Sequence, residues 1–171
     1  TVLTWFATLK PAGDAPVELS GAHYHGLGMR FLESMDESGT FRYAGAAPGE
    51  IVRGDERLTQ APWCAYTAKA DGKPVTVAMF DSREPHPAHW FTMQTPFAYL
   101  SATLNLYREP LTITQDAPLD ISYGVAVWDG ETDDDIIGNT RAAWSHMLPN
   151  TREKHVAICA KLMGGNGNGQ Q

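Results

Sequence analysis

Basic residues are scarce in this chain, and those present are scattered. Thirteen lysines and arginines stand against twenty aspartates and glutamates, a net charge of −7, so no broad positive field exists to neutralise a phosphate backbone. Nucleic acid is therefore not an expected partner. No run of Lys or Arg offers a grip on an anionic membrane, and no apolar stretch comes near the ~20 residues a spanning helix needs. The expectation is a soluble chain with no membrane partner. Cysteine is nearly missing too. Cys64 and Cys159 can pair only if the fold brings them together, and two thiols so far apart are more often small buried apolar side chains. The redox compartment stays open. There is no initiating Met, basic n-region or signal-like apolar run at Thr1, which reads as a mature or excised portion of something longer.

Several chemical signatures are absent as well. No serine nucleophile elbow, Cys-x-x-Cys pair, zinc-protease helix or P-loop occurs, which removes several enzyme classes. Gly26-Leu27-Gly28 lacks the flanking strand, helix and third glycine of a dinucleotide fingerprint, so no cofactor is expected. These glycines instead suit a bulge or a close backbone approach.

What is present is the balance of a globular protein: 43% hydrophobic and 19% charged residues over 171 positions. Folding at this length typically buries roughly 70% of the unfolded chain's surface. Only residues 164–171, Gly-Gly-Asn-Gly-Asn-Gly-Gln-Gln, have no apolar side chain to bury and much backbone freedom. The expectation is one domain over 1–163, complete or part of a larger one, and a flexible tail over 164–171.

The dominant period is two, the mark of strands with one buried face. Leu119, Ile121, Tyr123, Val125 and Val127 alternate with Asp120, Ser122, Gly124, Ala126 and Trp128. A shorter strand, Leu111 to Thr114, precedes this one across a Gln-Asp-Ala-Pro turn, and the two are expected to form a hairpin. A second hairpin is written around Asp71-Gly72, whose residues tolerate the positive φ of a tight primed turn. Val2 to Leu9, Val17 to Leu19, Tyr24 to Leu32 and Phe41 to Tyr43 add strands between Gly, Pro, Asp and Ser punctuation. One short helix near residues 133–147 is expected, because Ile136, Ile137, Thr140, Ala143, Trp144 and Met147 share a face and acidic residues suit its N-terminus. Pro149 is expected to close it. Val156 to Leu162 fits either a strand or a helix. The fold class predicted is mainly β, an antiparallel sandwich with that one helix.

Candidate chemistry clusters in two places. His23-Tyr24-His25 puts two imidazoles on one face if the strand runs through them, a spacing that can serve one metal ion or two proton-transfer groups. The same face continues through Leu27, Met29 and Phe31, so both rings can equally cap the end of a core face. Arg30 can clamp a carboxylate or a sugar hydroxyl, or form a surface ion pair with Glu33 or Asp36. The second cluster, Asp81-Ser-Arg-Glu-Pro-His-Pro-Ala-His-Trp, reads as a loop at a strand end, where sandwiches often keep their sites. In it Asp81, Glu84, His86 and His89 are candidate acid–base groups, Arg83 a substrate contact, and Trp90 a ring on which a sugar can stack. The structural alternative is an ordinary proline-stiffened loop that Trp90 anchors to the core. Trp5, Trp63, Trp128 and Trp144 read as core residues.

The succession Leu19 to Phe31 (Leu-Ser-Gly-Ala-His-Tyr-His-Gly-Leu-Gly-Met-Arg-Phe), Trp63-Cys-Ala-Tyr, Val77-Ala-Met-Phe-Asp81, His86-Pro-Ala-His-Trp90, Glu109-Pro-Leu-Thr-Ile and Ile121 to Gly130 resembles the PmoA-like bacterial family of unknown function. The resemblance runs to about Trp144. It implies a β-sandwich similar to mutarotase-like sugar-active domains, a periplasmic or secreted setting, and a carbohydrate ligand. The longer members carry an earlier half with a His-His-x-Gly segment that this chain lacks, so the chain resembles the later half alone. A missing N-terminal half or self-association is then expected to cover exposed strand edges. Three roles are carried forward: a carbohydrate-active or carbohydrate-binding domain, a metal-dependent enzyme built on the histidines, and a non-catalytic interaction module.

Overall fold

The computed structural model describes residues 1–36, 38–45, 47–82 and 88–164, the side chains of 160–164 excepted. Strands β1 (Val2–Leu9), β2 (Val17–Leu19), β3 (Gly26–Arg30), β4 (Thr40–Tyr43), β5 (Glu50–Arg53), β6 (Glu56–Gln60), β7 (Trp63–Ala70), β8 (Lys73–Asp81), β9 (His89–Met93), β10 (Tyr99–Thr103), β11 (Leu111–Ile113) and β12 (Leu119–Asp129) precede helix α1 (Asp134–Gly164). They build two five-stranded antiparallel sheets, β1-β12-β8-β7-β4 and β3-β10-β9-β6-β5, and a two-stranded ribbon, β11-β2.

The mainly β, sandwich-like architecture follows from the alternation. Cys64, Met79 and Tyr123 of the first sheet and Trp90, Leu100 and Ala102 of the second meet in one buried cluster, each large side chain contributing about 1.5–3 kcal/mol of burial. Polar groups in this layer are paired: the Tyr43 hydroxyl lies 2.7 Å from that of Thr92. Burial, and after it the neighbouring Cys64, raises the Tyr43 pKa. The opposite face of the first sheet packs on α1, where Trp63, Phe80 and Ala126 meet Ile137 and Trp144. Gly124 makes this possible, since a Cβ there would lie 2.8 Å from the Trp144 indole and 3.0 Å from the Phe80 ring.

The β7–β8 hairpin turns at Asp71 and Gly72 with φ of +49° and +81°, as their residue types predict. Other expectations need correction. Leu111–Ile113 does not form a hairpin with β12: it pairs with β2, while β12 lies between β1 and β8. The turn between them closes locally, Thr114 N–H donating to the Ala117 carbonyl at 3.1 Å, but the two strands leave it for different sheets. The helix is not short, and it does not stop at Pro149. Proline forfeits one i→i−4 bond, yet the second half is held to the sheet by the His155 ring 5.3 Å from Phe6 and by Arg152 2.5 Å from Asp120. Val156 to Leu162 is accordingly helical. Trp5 is not a core residue, being 41% exposed. Both cysteines are free thiols, Cys64 buried in the sandwich and Cys159 on α1. The expected tail lies, from residue 165 on, outside the described residues.

Candidate functional site

β9 carries the geometry that matters. Its alternation sends Trp90 and Thr92 into the sandwich and His89, Phe91 and Met93 to the outer face of the second sheet. Across the ladder that outer face continues through Tyr99, Ser101 and Thr103 of β10, Gly26, Gly28 and Arg30 of β3, and Glu56, Leu58 and Gln60 of β6. Two loops fold over it.

The first loop holds the histidine pair. His23 and Tyr24 form a turn instead of a strand, closed by the His25 N–H on the Ala22 carbonyl at 3.1 Å and by the Ala22 N–H on His25 Nδ1 at 3.2 Å. β3 starts only at Gly26, so the expected two-residue spacing along a strand face does not occur. The His23 ring instead stacks on Phe91, 5.9 Å away at 29°, and meets Tyr107 of the second loop edge-on at 5.2 Å. Tyr24 leans on Phe91 at 5.9 Å and on His25 at 4.8 Å. Phe91 is thereby only 2% exposed although it points away from the sandwich, whereas Tyr24 and Tyr107 stay 46% and 59% exposed.

Tyr99 borders the cluster, 6.1 Å from Phe91. It lies across β3 because Gly28 has no side chain: a Cβ there would be 2.0 Å from the Tyr99 hydroxyl. The glycines of β3 thus serve close approach, and the β3–β10 register runs without a bulge. Arg30 sits with its guanidinium 4.1 Å from the Phe97 ring centre, a cation–π placement.

Among the described residues Ser101 Oγ, Asn105 Oδ1 and Glu56 Oε2 are buried without a hydrogen-bond partner, a costly condition for a polar atom. Asn105 holds a left-handed backbone, φ +57°, and turns the chain toward Tyr107. Glu56 Oε1 is bound by Arg53 at 2.6 Å, and Glu50 is bound by both of its oxygens to Arg108 at 2.7 and 2.6 Å.

The candidates from sequence divide accordingly. His23, His25 and His89 lie on or beside this face. Asp81 does not: it ends β8 in the other sheet, fully buried on the interior side opposite Tyr123, with its carbonyl accepting from Arg141 at 3.3 Å. Trp90 requires the clearest correction. It is 0% exposed and its indole N–H donates to the Ala61 carbonyl at 2.6 Å, so neither ring face is free to carry a sugar. Arg83 and His86 lie outside the described residues. Among the described residues no three His, Cys, Asp or Glu side chains converge as a metal site would require. Phe91, Tyr107, Ser101 and Asn105 were not singled out from sequence. The signal for Ser101 was present in Tyr99-Leu-Ser-Ala-Thr103, whose alternation puts its polar residues on one face.

A family model described as a family of unknown function, DUF6807, matches residues 1–141. The chain belongs to DUF6807. Nothing links this DUF6807 chain to PmoA specifically, so the resemblance narrows to a family without an assigned activity. No curated protein and no solved structure matches the chain. Among the described residues no helix is long and apolar enough to cross a membrane.

Proposed function

We propose that the outer face of the β3-β10-β9-β6-β5 sheet is a carbohydrate-binding surface. The observation that carries this reading is the ring platform: His23 and the exposed Tyr24 packed on a buried Phe91, and the exposed Tyr107 edge-on to His23. Sugars present apolar C–H faces that settle on such rings while their hydroxyls take hydrogen bonds from polar groups at the edge. Ser101, opposite Phe91 across the β9–β10 ladder, has a side-chain oxygen with no hydrogen-bond partner among the described residues, so this face keeps unused polar capacity next to the rings.

Binding is favoured over turnover. Acid–base cleavage of a glycosidic bond requires two carboxyl groups poised across the substrate, and on this face Glu50 and Glu56 are each tied to an arginine. Of the two carboxylates expected to act, Asp81 belongs to the other sheet and Glu84 lies outside the described residues.

A glycan array followed by calorimetry on the best ligand, with product analysis of the same mixtures, tests the proposal. Tyr107→Ala and Tyr24→Ala are expected to weaken binding at least tenfold, Tyr107→Ala leaving stability within about 0.5 kcal/mol because its ring is largely exposed, and Tyr24→Ala costing more because Tyr24 covers Phe91. A folded protein that retains no glycan overturns the reading. Released products would replace binding with catalysis.

A further inference from the structure

The flank where the two sheets end at β1 and β3 is open. Among the described residues β1 is paired on one side only, with β12, through eight successive pairs without a register break. Its sequence, Val-Leu-Thr-Trp-Phe-Ala-Thr-Leu, has no charge, proline or glycine. The other edges of the two five-stranded sheets carry the usual protection against strand addition. β3 has Arg30 and two glycines, β5 has Glu50, Arg53 and a register shift, and Arg42 of β4 is tied to Asp134. On β1 the residues that point toward the sandwich layer are left in solvent instead: Leu3 is 62%, Trp5 41% and Leu9 42% exposed. Trp5 stacks on Tyr123 at 6.3 Å and borders an apolar cavity of about 470 Å³.

We propose that β1 is a self-pairing edge on which a second copy of this chain adds, antiparallel, about a twofold axis at Trp5. The register follows from the backbone. Val127 N–H donates to the Thr1 carbonyl at 3.1 Å and the Thr1 nitrogen to the Val127 carbonyl at 3.3 Å, so the odd-numbered residues bond to β12. The N–H and C=O groups of Val2, Thr4, Phe6 and Thr8 therefore point outward. Opposing Val2 to Thr8 and Thr4 to Phe6 of the second copy satisfies all four residues on both strands. In that register Trp5 meets its own twin in a closely spaced pair and Leu3 meets Ala7, so apolar groups face apolar groups and no like charges are opposed. Two sheets of five strands become one continuous sheet across the axis. A strand of eight residues is roughly 26 Å long, and a flank of that length spanning two sheets presents on the order of 500 Å² per copy. The resulting total, about 1,000 Å², reaches what a specific pair needs.

Sedimentation equilibrium of the full chain from micromolar to millimolar concentration tests this. A reversible dimer is expected, and Leu3→Lys, a change at an exposed position that brings a charge to the seam, is expected to weaken it at least tenfold with an unaltered circular dichroism spectrum. Trp5→Cys is expected to give a disulfide-linked dimer on oxidation beyond the unsubstituted chain's background, while Leu3→Cys does not, since Leu3 is displaced from its own twin. A monomer throughout the range, or a dimer indifferent to Leu3→Lys and not cross-linked through Trp5→Cys, overturns the proposal. So does a monomer that binds anilinonaphthalene sulfonate with an enhancement that Trp5→Ala removes, which would assign the cavity to a small apolar ligand.

Discussion

The Trp90 indole N–H donates to the Ala61 carbonyl at 2.6 Å inside the sandwich, where the two residues are 0% and 2% exposed. Trp90→Phe keeps most of the packing but orphans that carbonyl, which costs about 1–3 kcal/mol. The expected outcome in urea unfolding is a loss of that size with glycan affinity unchanged. A variant of normal stability that no longer binds would restore Trp90 to the ligand.

Gly124 is the floor on which Trp144 rests. In Gly124→Ala the new methyl would meet the indole and the Phe80 ring well inside contact distance, and both are packed in the layer under α1. A loss of about 1–3 kcal/mol is expected from overpacking. Tryptophan emission should move to the red as the helix lifts, and thermal melting should fall in parallel.

Asp55 gives stability a dependence on acid. Its Oδ2 accepts from the Gln94 and Thr95 amides at 2.9 and 2.7 Å. Partial burial pushes the pKa up, but these N–H groups outweigh it and hold the carboxyl below its ordinary 3.8. On lowering the pH the unfolded chain then takes up the proton first, so the contribution is complete well above 3.8 and is lost as pH falls through the lower folded value. Asp120, whose pKa is lowered by its bond from Thr8 and by Arg152, adds in the same direction. Melting curves of the native chain and Asp55→Asn should differ by a constant amount at neutral pH and converge below about pH 4.

Pro149 interrupts the hydrogen-bond ladder of α1. A mid-helix proline is about 3 kcal/mol less favourable than alanine, so Pro149→Ala should raise the melting temperature. A decrease would mean that Pro149 helps to direct the second half of α1 toward Phe6.

Much of the fold was legible from local signals: the long β12 from its period-two alternation, the β7–β8 turn from Asp71-Gly72, and the β1 and β2 boundaries from the Gly, Pro and Asp residues between them. What escaped depends on contacts between distant segments. Nothing near Leu111 says that Leu19 will be its neighbour, and the Asp and Pro residues before β12 make a turn whichever partner the strands choose. The helix passes Pro149 because Phe6 and Asp120 hold its second half. At the site the residue types were informative and the facing was not. His23 and His25 were visible as a cluster, but the Ala22–His25 bonds that curl the loop exchange a strand face for a turn. Trp90 looked the same from sequence whether it anchors or stacks, and one residue of register decides which. Phe91, its neighbour, took the outward position.

The pairing of β1 with β12 sets the order of events during synthesis. β1 is made long before β12, the strand it pairs with, a non-local closure of the kind that slows folding. Throughout that interval an uncharged apolar segment waits single. Nascent copies on one message are thus exposed to mutual capture, and production yield should depend on translation speed and temperature more than on the stability of the finished molecule.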